Sequence, residues 1–181
     1  MTTEEMLHLK GIHIAPYIQI ATSLIGKTRH GGGNMFRHQL DTMAILIDYG
    51  YINSVLLKAS IIHDVIEDIP DFNRNLIFTI DFESHAVYDL VMEVTRLPDE
   101  SKPEFLTRIS ETGSMNAKIL KVADRISNMI TLGFVHNMDF VSRYISETEE
   151  YVIPIAEQVD KAMLRELQKL VESRRKYLEQ N

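Results

Sequence analysis

The apolar positions of this chain recur with a helical period almost throughout. Leu40, Met43, Ala44 and Ile47 fall at i, i+3, i+4 and i+7, one face of a helix that ends near Gly50. Asn53 is placed to cap the next helix, in which Val55, Ala59, Ile62 and Ile66 extend the stripe until Pro70 stops it. After a loop, His85 to Thr95 reads as helix with Val87, Leu90, Val91 and Val94 inward. Ser101 and Glu104 have capping-box spacing ahead of Phe105 and Ile109. Asn116 can start the helix that carries Ile119, Leu120, Ala123, Ile126 and Ile130. Residues 4 to 26 read as a further helix, and two more fill 139 to 180, the last of them amphipathic and rich in charge. Only LIFTI at 76–80 suggests a short extended piece. The expected fold class is therefore all-α, a compact multi-helix bundle.

Length and composition narrow this further. The 181 residues, 45% of them hydrophobic, suit one domain spanning 1–181 with a substantial core. The absence of cysteine removes disulfides, zinc-thiolate sites and thiol nucleophiles, and it fits a reducing, cytoplasmic setting. No apolar run approaches the roughly 20 residues of a membrane span. The net charge of -7 argues against binding to duplex nucleic acid, which requires a basic face, but leaves room for a small anion held by a metal and a few placed cations. Gly31 to Gly33 match neither phosphate-loop nor dinucleotide-fold spacing, and a turn between helices is the expected reading.

The chemistry concentrates in His63-Asp64-Val65-Ile66-Glu67-Asp68. On a helical wheel with His63 at zero, Glu67 lies near 40°, Asp64 near 100° and Asp68 near 140°, while Ile62, Val65 and Ile66 occupy roughly 200–300°. Three carboxylates beside one imidazole repel each other unless a cation sits among them. A mixed nitrogen and oxygen donor set suits manganese, iron or magnesium better than structural zinc. His38 on the preceding helix and Asp124 on a later one can complete the set. Four ligands (His38, His63, Asp64 and Asp124) would leave positions on the ion for water and substrate. With Asp124 at zero, Asn128 falls near 40° and Thr131 near −20°, a polar stripe facing away from the apolar one.

At these residues the sequence resembles the HD-domain superfamily of metal-dependent phosphohydrolases, and within it the RelA/SpoT-type alarmone hydrolases. The resemblance rests on His38, on IIHDVIED at 61–68 and on KVADRISNMITL at 121–132, and it extends over about residues 20–156, with a C-terminal helix at 157–181. It implies Mn2+ as cofactor, with His38, His63, Asp64 and Asp124 as ligands. Glu67 and Asp68 match the pair that activates and orients the hydrolytic water. Arg29, Asn128 and Thr131 match residues of the nucleotide site.

The implied reaction is hydrolysis of the 3′-pyrophosphate of guanosine 3′,5′-bis(diphosphate), in the manner of a stand-alone small alarmone hydrolase acting in the stringent response. His30, Gln39, Ser127 and the Gly31–Gly33 loop depart from the usual pattern, which leaves guanine against adenine open. A ppApp-type hydrolase, an NADPH phosphatase and an inactive nucleotide-binding module are the alternatives. Lys27, His30 and Tyr144 are candidates to face the pocket, and Arg125 is expected in a structural ion pair. The C-terminal helix could pad the core or pair two copies into a homo-oligomer.

Overall fold

The computed structural model describes residues 1–29 and 33–180. Among them the secondary structure is helical, with no strand and one isolated bridge, Thr28 to Asn34. The helices are α1 (Thr3–Gly11), α2 (Ala15–Ala21), α3 (Met35–Asp48), α4 (Ser54–Ile62), α5 (Val65–Asp68), α6 (Asn75–Phe78), α7 (Ser84–Val94), α8 (Lys102–Thr112), α9 (Met115–Thr131), α10 (Met138–Glu147), α11 (Ile153–Val159) and α12 (Lys161–Glu179). The all-α expectation holds. Among the described residues, no helix is long and apolar enough to cross a membrane.

α9 is the central element. It packs against α3, α4, α7, α11 and α12 and buries Ile119, Leu120, Val122, Ala123, Ile126 and Met129. Around it, Leu46 of α3, Leu57 and Ile61 of α4, Val91 of α7, Phe105 and Ile109 of α8, and Met163 and Leu167 of α12 close one continuous core. Because α9 is buried nearly all round, its polar residues Lys121, Asp124, Arg125 and Ser127 are buried too, and each requires a partner.

Local chemistry moves several of the expected boundaries. The single helix expected over 4–26 is divided, because Ile12 turns extended and Pro16, which lacks an N–H, sits in the first turn of α2. A 3₁₀ turn at Thr22–Leu24 follows, and Gly26 takes a φ of 89°, a left-handed conformation that glycine adopts at little cost. The piece at 76–80 is not extended. Asn73 accepts from the Asn75 N–H and initiates α6, with Ile77 buried. Ser114, not Asn116, caps α9, and its hydroxyl accepts from the Ala117 N–H at 3.2 Å. The expected capping box at Ser101 and Glu104 is present.

The C-terminal pair of helices divides at Asp160, whose carboxylate accepts from the Ala162 and Met163 N–H groups, so the last helix begins at Lys161. Within the first of the pair, Thr148–Val152 winds as a π-turn. Pro154, just downstream, cannot donate to the carbonyl one turn back, which is consistent with the looser winding ahead of it.

One polar cluster away from the site ties the N-terminal helices to the bundle. Lys58 of α4 is buried and ion-paired to Asp81 and Glu83, while the Tyr17 hydroxyl donates to Asp81. Both carboxyl groups are held below their usual range against the opposing effect of burial, with Lys58 the chief lowering partner. Lys58→Ala leaves two carboxylates facing each other without their cation. It should cost about 3 kcal/mol in urea unfolding, the low end for a broken buried pair because the two acids keep partial solvent contact.

Candidate metal and nucleotide site

The break between α4 and α5 falls on His63 and Asp64. In a continuous helix the Asp64 N–H would donate to the Ser60 carbonyl. That carbonyl instead accepts from His63 Nδ1 at 2.8 Å, and the Asp64 N–H turns to Gln39 Oε1 at 3.5 Å. Side chains thus replace one rung of the backbone ladder, and the released turn aims His63 Nε2 and the Asp64 carboxylate inward together. The continuous helix expected over this segment is therefore corrected to two helices with a hinge at the His-Asp dipeptide.

Four side chains from α3, the hinge and α9 converge there. His38 Nε2 lies 3.0 Å from Asp124 Oδ1 and 3.6 Å from Asp64 Oδ2. His63 Nε2 lies 3.3 Å from Asp64 Oδ2 and 3.8 Å from Asp124 Oδ1. Two donor atoms each about 2.1 Å from one ion are separated by at most about 4.2 Å, and all four of these separations comply. His63 Nε2 is buried without a hydrogen-bond partner, and buried polar atoms of that kind call for one. Two imidazoles and the Asp124 carboxylate, one nitrogen aimed inward and unpartnered, form a donor set that can hold a divalent metal ion, and the Asp64 carboxylate stands beside the two histidines. His38, His63 and Asp124 alone bring their ligand atoms within 4.8 Å of one another.

Each of the four is held from behind. Ser127 Oγ lies 2.9 Å from His38 Nδ1, and Lys121 Nζ donates to Asp124 Oδ2 at 2.7 Å. Asn128 Nδ2 donates to the Asp124 carbonyl at 2.9 Å, and Gln39 Nε2 to Asp64 Oδ2 at 2.8 Å. Such outer partners fix the orientation of metal-binding groups. The charges follow the packing. Burial works against ionisation of Asp124, yet Lys121 and the two imidazoles hold its carboxyl well below the usual range. Asp64 is lowered against burial by His63 and His38. Burial opposes the His63 imidazolium too, but Asp64 and Asp124 push its pKa up to about 9. In His38 burial prevails, and its pKa is lowered.

The cluster forms part of the wall of a cavity of ≈ 620 Å³, within the size range of small-molecule sites. On one side lie Lys27 and Arg29, the latter donating from its guanidinium to Asn128 Oδ1. The segment that carries them is closed at its base by Met35 N–H to Lys27 O at 3.1 Å and by the Thr28–Asn34 bridge. On another side Lys102 and Lys121 flank the Phe105 ring, with Nζ atoms 5.6 and 5.0 Å from its centroid. Burial, together with Lys121 and Arg125, lowers the Lys102 pKa to about 8. Phe140 and Tyr144, stacked with centroids 5.6 Å apart, add an aromatic wall.

No protein-family model matches the chain. Two curated relatives, from Mycoplasma genitalium and Mycoplasma pneumoniae, both bear the name probable guanosine-3′,5′-bis(diphosphate) 3′-pyrophosphohydrolase. The first is 25% identical over 122 residues and the second 30% identical over 124, in each case 59% of this chain and 16% of the relative. The chain thus spans about a sixth of the length of the curated relatives it matches. A solved structure, described as a metazoan ortholog of SpoT that hydrolyzes ppGpp and plays a role in starvation responses, superposes with a TM-score of 0.73 at 19% identity, covering 96% of this chain and 97% of that one. The chain shares the fold of that solved structure.

Within this fold the residues singled out in the sequence are distributed unevenly. His38, His63, Asp64 and Asp124 meet, and Arg29, Asn128, Glu67 and Asp68 line the same cavity. Lys27 and Tyr144 also line it, whereas His30, Gly31 and Gly32 lie outside the described residues. Thr131 does not line it. Seven residues beyond Asp124, it sits about 10 Å further along the helix, and its hydroxyl turns back to the Asn128 carbonyl at 3.1 Å. Glu67 stands at the exposed rim, accepting from the Arg96 N–H at 3.3 Å, while Asp68 is half-buried. Burial and then the neighbouring Asp64 raise the Asp68 carboxyl.

Arg125 is an ion-pair residue as expected. Buried, it donates to Glu147 and Thr148 and lies 4.2 Å from the Tyr144 ring centroid, so it holds that wall of the cavity in place. Lys102, Lys121, Phe105 and Phe140 are pocket residues that the sequence reading missed. Lys121 was within reach, because three residues before Asp124 it falls near 60° on the same polar stripe.

Proposed function

We propose that the chain is a metal-dependent nucleotide phosphohydrolase that removes the 3′-pyrophosphate of guanosine 3′,5′-bis(diphosphate) or its 5′-triphosphate analogue. GDP or GTP and pyrophosphate would be released, with Mn2+ as the working metal and His38, His63, Asp64 and Asp124 as its ligands. The observation that carries this reading is the inward-facing cluster of two imidazoles and two carboxylates set in a cavity with cationic residues on two sides. The names of the Mycoplasma relatives supply the substrate.

A divalent cation held by this cluster supplies acidified water and screens the charge of the phosphate oxygens. The chain does the rest. Arg29, with its planar fork of donors, is suited to grip one diphosphate, and Asn128 sets its orientation. Lys102 and Lys121 lie where a second anionic group can be received, the arrangement a nucleotide with phosphates at both 3′ and 5′ positions requires. Phe140 and Tyr144 offer a flat surface to a base. In the hydrolysis the water oxygen bonds to phosphorus as the bond from phosphorus to the 3′-oxygen breaks. Asp68 and Glu67, on the turn beside Asp64, accept the proton that water gives up, and the departing 3′-oxygen takes one.

The test is a product assay with Mn2+ and three substrates side by side: ppGpp, ppApp and NADPH. Pyrophosphate release from ppGpp at the highest kcat/KM supports the proposal. Faster turnover of ppApp or phosphate release from NADPH replaces the substrate, and nucleotide binding without any release replaces the enzyme with a binding module.

Metal binding should carry a pH signature. A ligand imidazole must be unprotonated, and His63, with its pKa raised to about 9, holds a proton at neutral pH in chelator-treated protein. Mn2+ affinity should therefore rise about tenfold per pH unit from 7 towards 9 and level off above, with close to one proton released per ion at pH 7. Titration calorimetry in buffers of different ionisation enthalpy counts that proton, and a pH-independent affinity would show that no imidazolium gives up a proton on binding.

A further inference from the structure

Asp64 is the most weakly supported of the four clustered side chains. Its side chain is 24% exposed, against 2%, 4% and 8% for His38, His63 and Asp124. It stands at a break where the backbone ladder has lost a rung, so the helix does not fix its direction. The two imidazoles lie near its carboxylate, and the Gln39 amide is the one group among the described residues that hydrogen-bonds it. That amide does two things at once. Its Nε2 donates to Asp64 Oδ2, the oxygen that faces both histidines, and its Oε1 accepts from the Asp64 backbone N–H. Gln39 is itself fully buried on α3, one residue from His38, so it is a stiff platform that links one candidate ligand's helix to another's hinge.

We propose that Gln39 is a positioning residue of the metal centre. Its side-chain amide takes the place of the missing backbone rung and holds Asp64 Oδ2 at the point where it can join His38 and His63 on one cation. This rests on the reading of the cluster as a metal site. The carboxylate oxygen keeps a second lone pair for the ion while the amide N–H occupies the first. Without the amide, Asp64 can rotate towards the open cavity, and the site is reduced to His38, His63 and Asp124.

The test uses Gln39→Met, which keeps length and volume but neither donates nor accepts in this way, and Gln39→Glu, which keeps the acceptor and places a second carboxylate against Asp64. Mn2+ binding to chelator-treated protein is read by calorimetry and by the electron paramagnetic resonance of the bound ion, with thermal melting of the same metal-free samples alongside. The expected result is a 10–100-fold weaker Mn2+ affinity in Gln39→Met, a loss typical of an outer partner. Gln39→Glu should lose at least as much at pH 8. The bound-ion spectrum should change in Gln39→Met, and melting of the metal-free protein should account for none of the affinity change. Unaltered affinity and spectrum, with only a lower melting temperature, would make Gln39 a packing residue and overturn the proposal. Failure of the wild-type protein itself to bind Mn2+ would instead overturn the metal reading on which it depends.

Discussion

Asp124→Asn should leave a folded protein that no longer retains Mn2+. The carboxylate is the hub of the cluster: one oxygen lies within 4 Å of both imidazoles and the other accepts from Lys121. Asparagine matches it in volume and can still accept from Lys121, so the packing of α9 against α3 survives. What disappears is a negative charge in a buried setting where two imidazoles and a lysine depend on it. A ligand lost outright should weaken Mn2+ by more than about 100-fold, beyond what an outer partner contributes, and turnover should fall in step at sub-millimolar metal. Calorimetry and a ppGpp assay on the same sample check this. Mn2+ affinity within threefold of wild type would place the ion elsewhere.

The second large effect separates chemistry from metal binding. The double variant Glu67→Gln, Asp68→Asn keeps all four clustered side chains, and its Mn2+ affinity should stay within about threefold of wild type because neither carboxylate stands among the four that converge. Removing both proton acceptors should lower kcat by roughly 10²–10⁴, the usual worth of positioned acid–base groups. The single variants should divide unequally. Asp68→Asn should cost more, because Asp68 is half-buried with its carboxyl raised by burial and Asp64, whereas Glu67 is exposed at the rim and engaged by Arg96. An active double variant would assign proton transfer to some other group.

The contrast between Glu67 and Asp68 also shows where reading the sequence stopped. A helical wheel is sound wherever the helix is continuous. On α9 it placed Asp124 and Asn128 on the cavity side and Ile119, Leu120, Ala123 and Ile126 in the core, because a 17-residue helix keeps its period, although Ile130 near its end is exposed. Around His63 it placed Glu67 nearest the imidazole, and the structure does not, because side-chain hydrogen bonds to Ser60 and from Asp64 interrupt the ladder there. Thr131 shows a second blind spot: a wheel gives azimuth without height. Lys102 shows a third. At the start of α8 it reads as an ordinary solvated lysine, and only the packing of α8 beside α9 brings it to the cavity. Asp124 and Asn128 were legible because they lie on the polar stripe of α9, and His63 and Asp64 because they are neighbours in the chain. Lys102 was not, because elements far apart in the chain bring it to the cavity.

The extra residue in the π-turn at Thr148–Val152 has its own consequence. It offsets the facing of α10 from that of α11 by about a quarter-turn, so Tyr144 and Glu147 can clasp Arg125 while Ile155 and Ala156 still seal the interior. The aromatic wall is thereby geared independently of the scaffold beneath it. A deletion that restored regular winding there would turn Tyr144 and Glu147 away from Arg125 and open that side of the cavity.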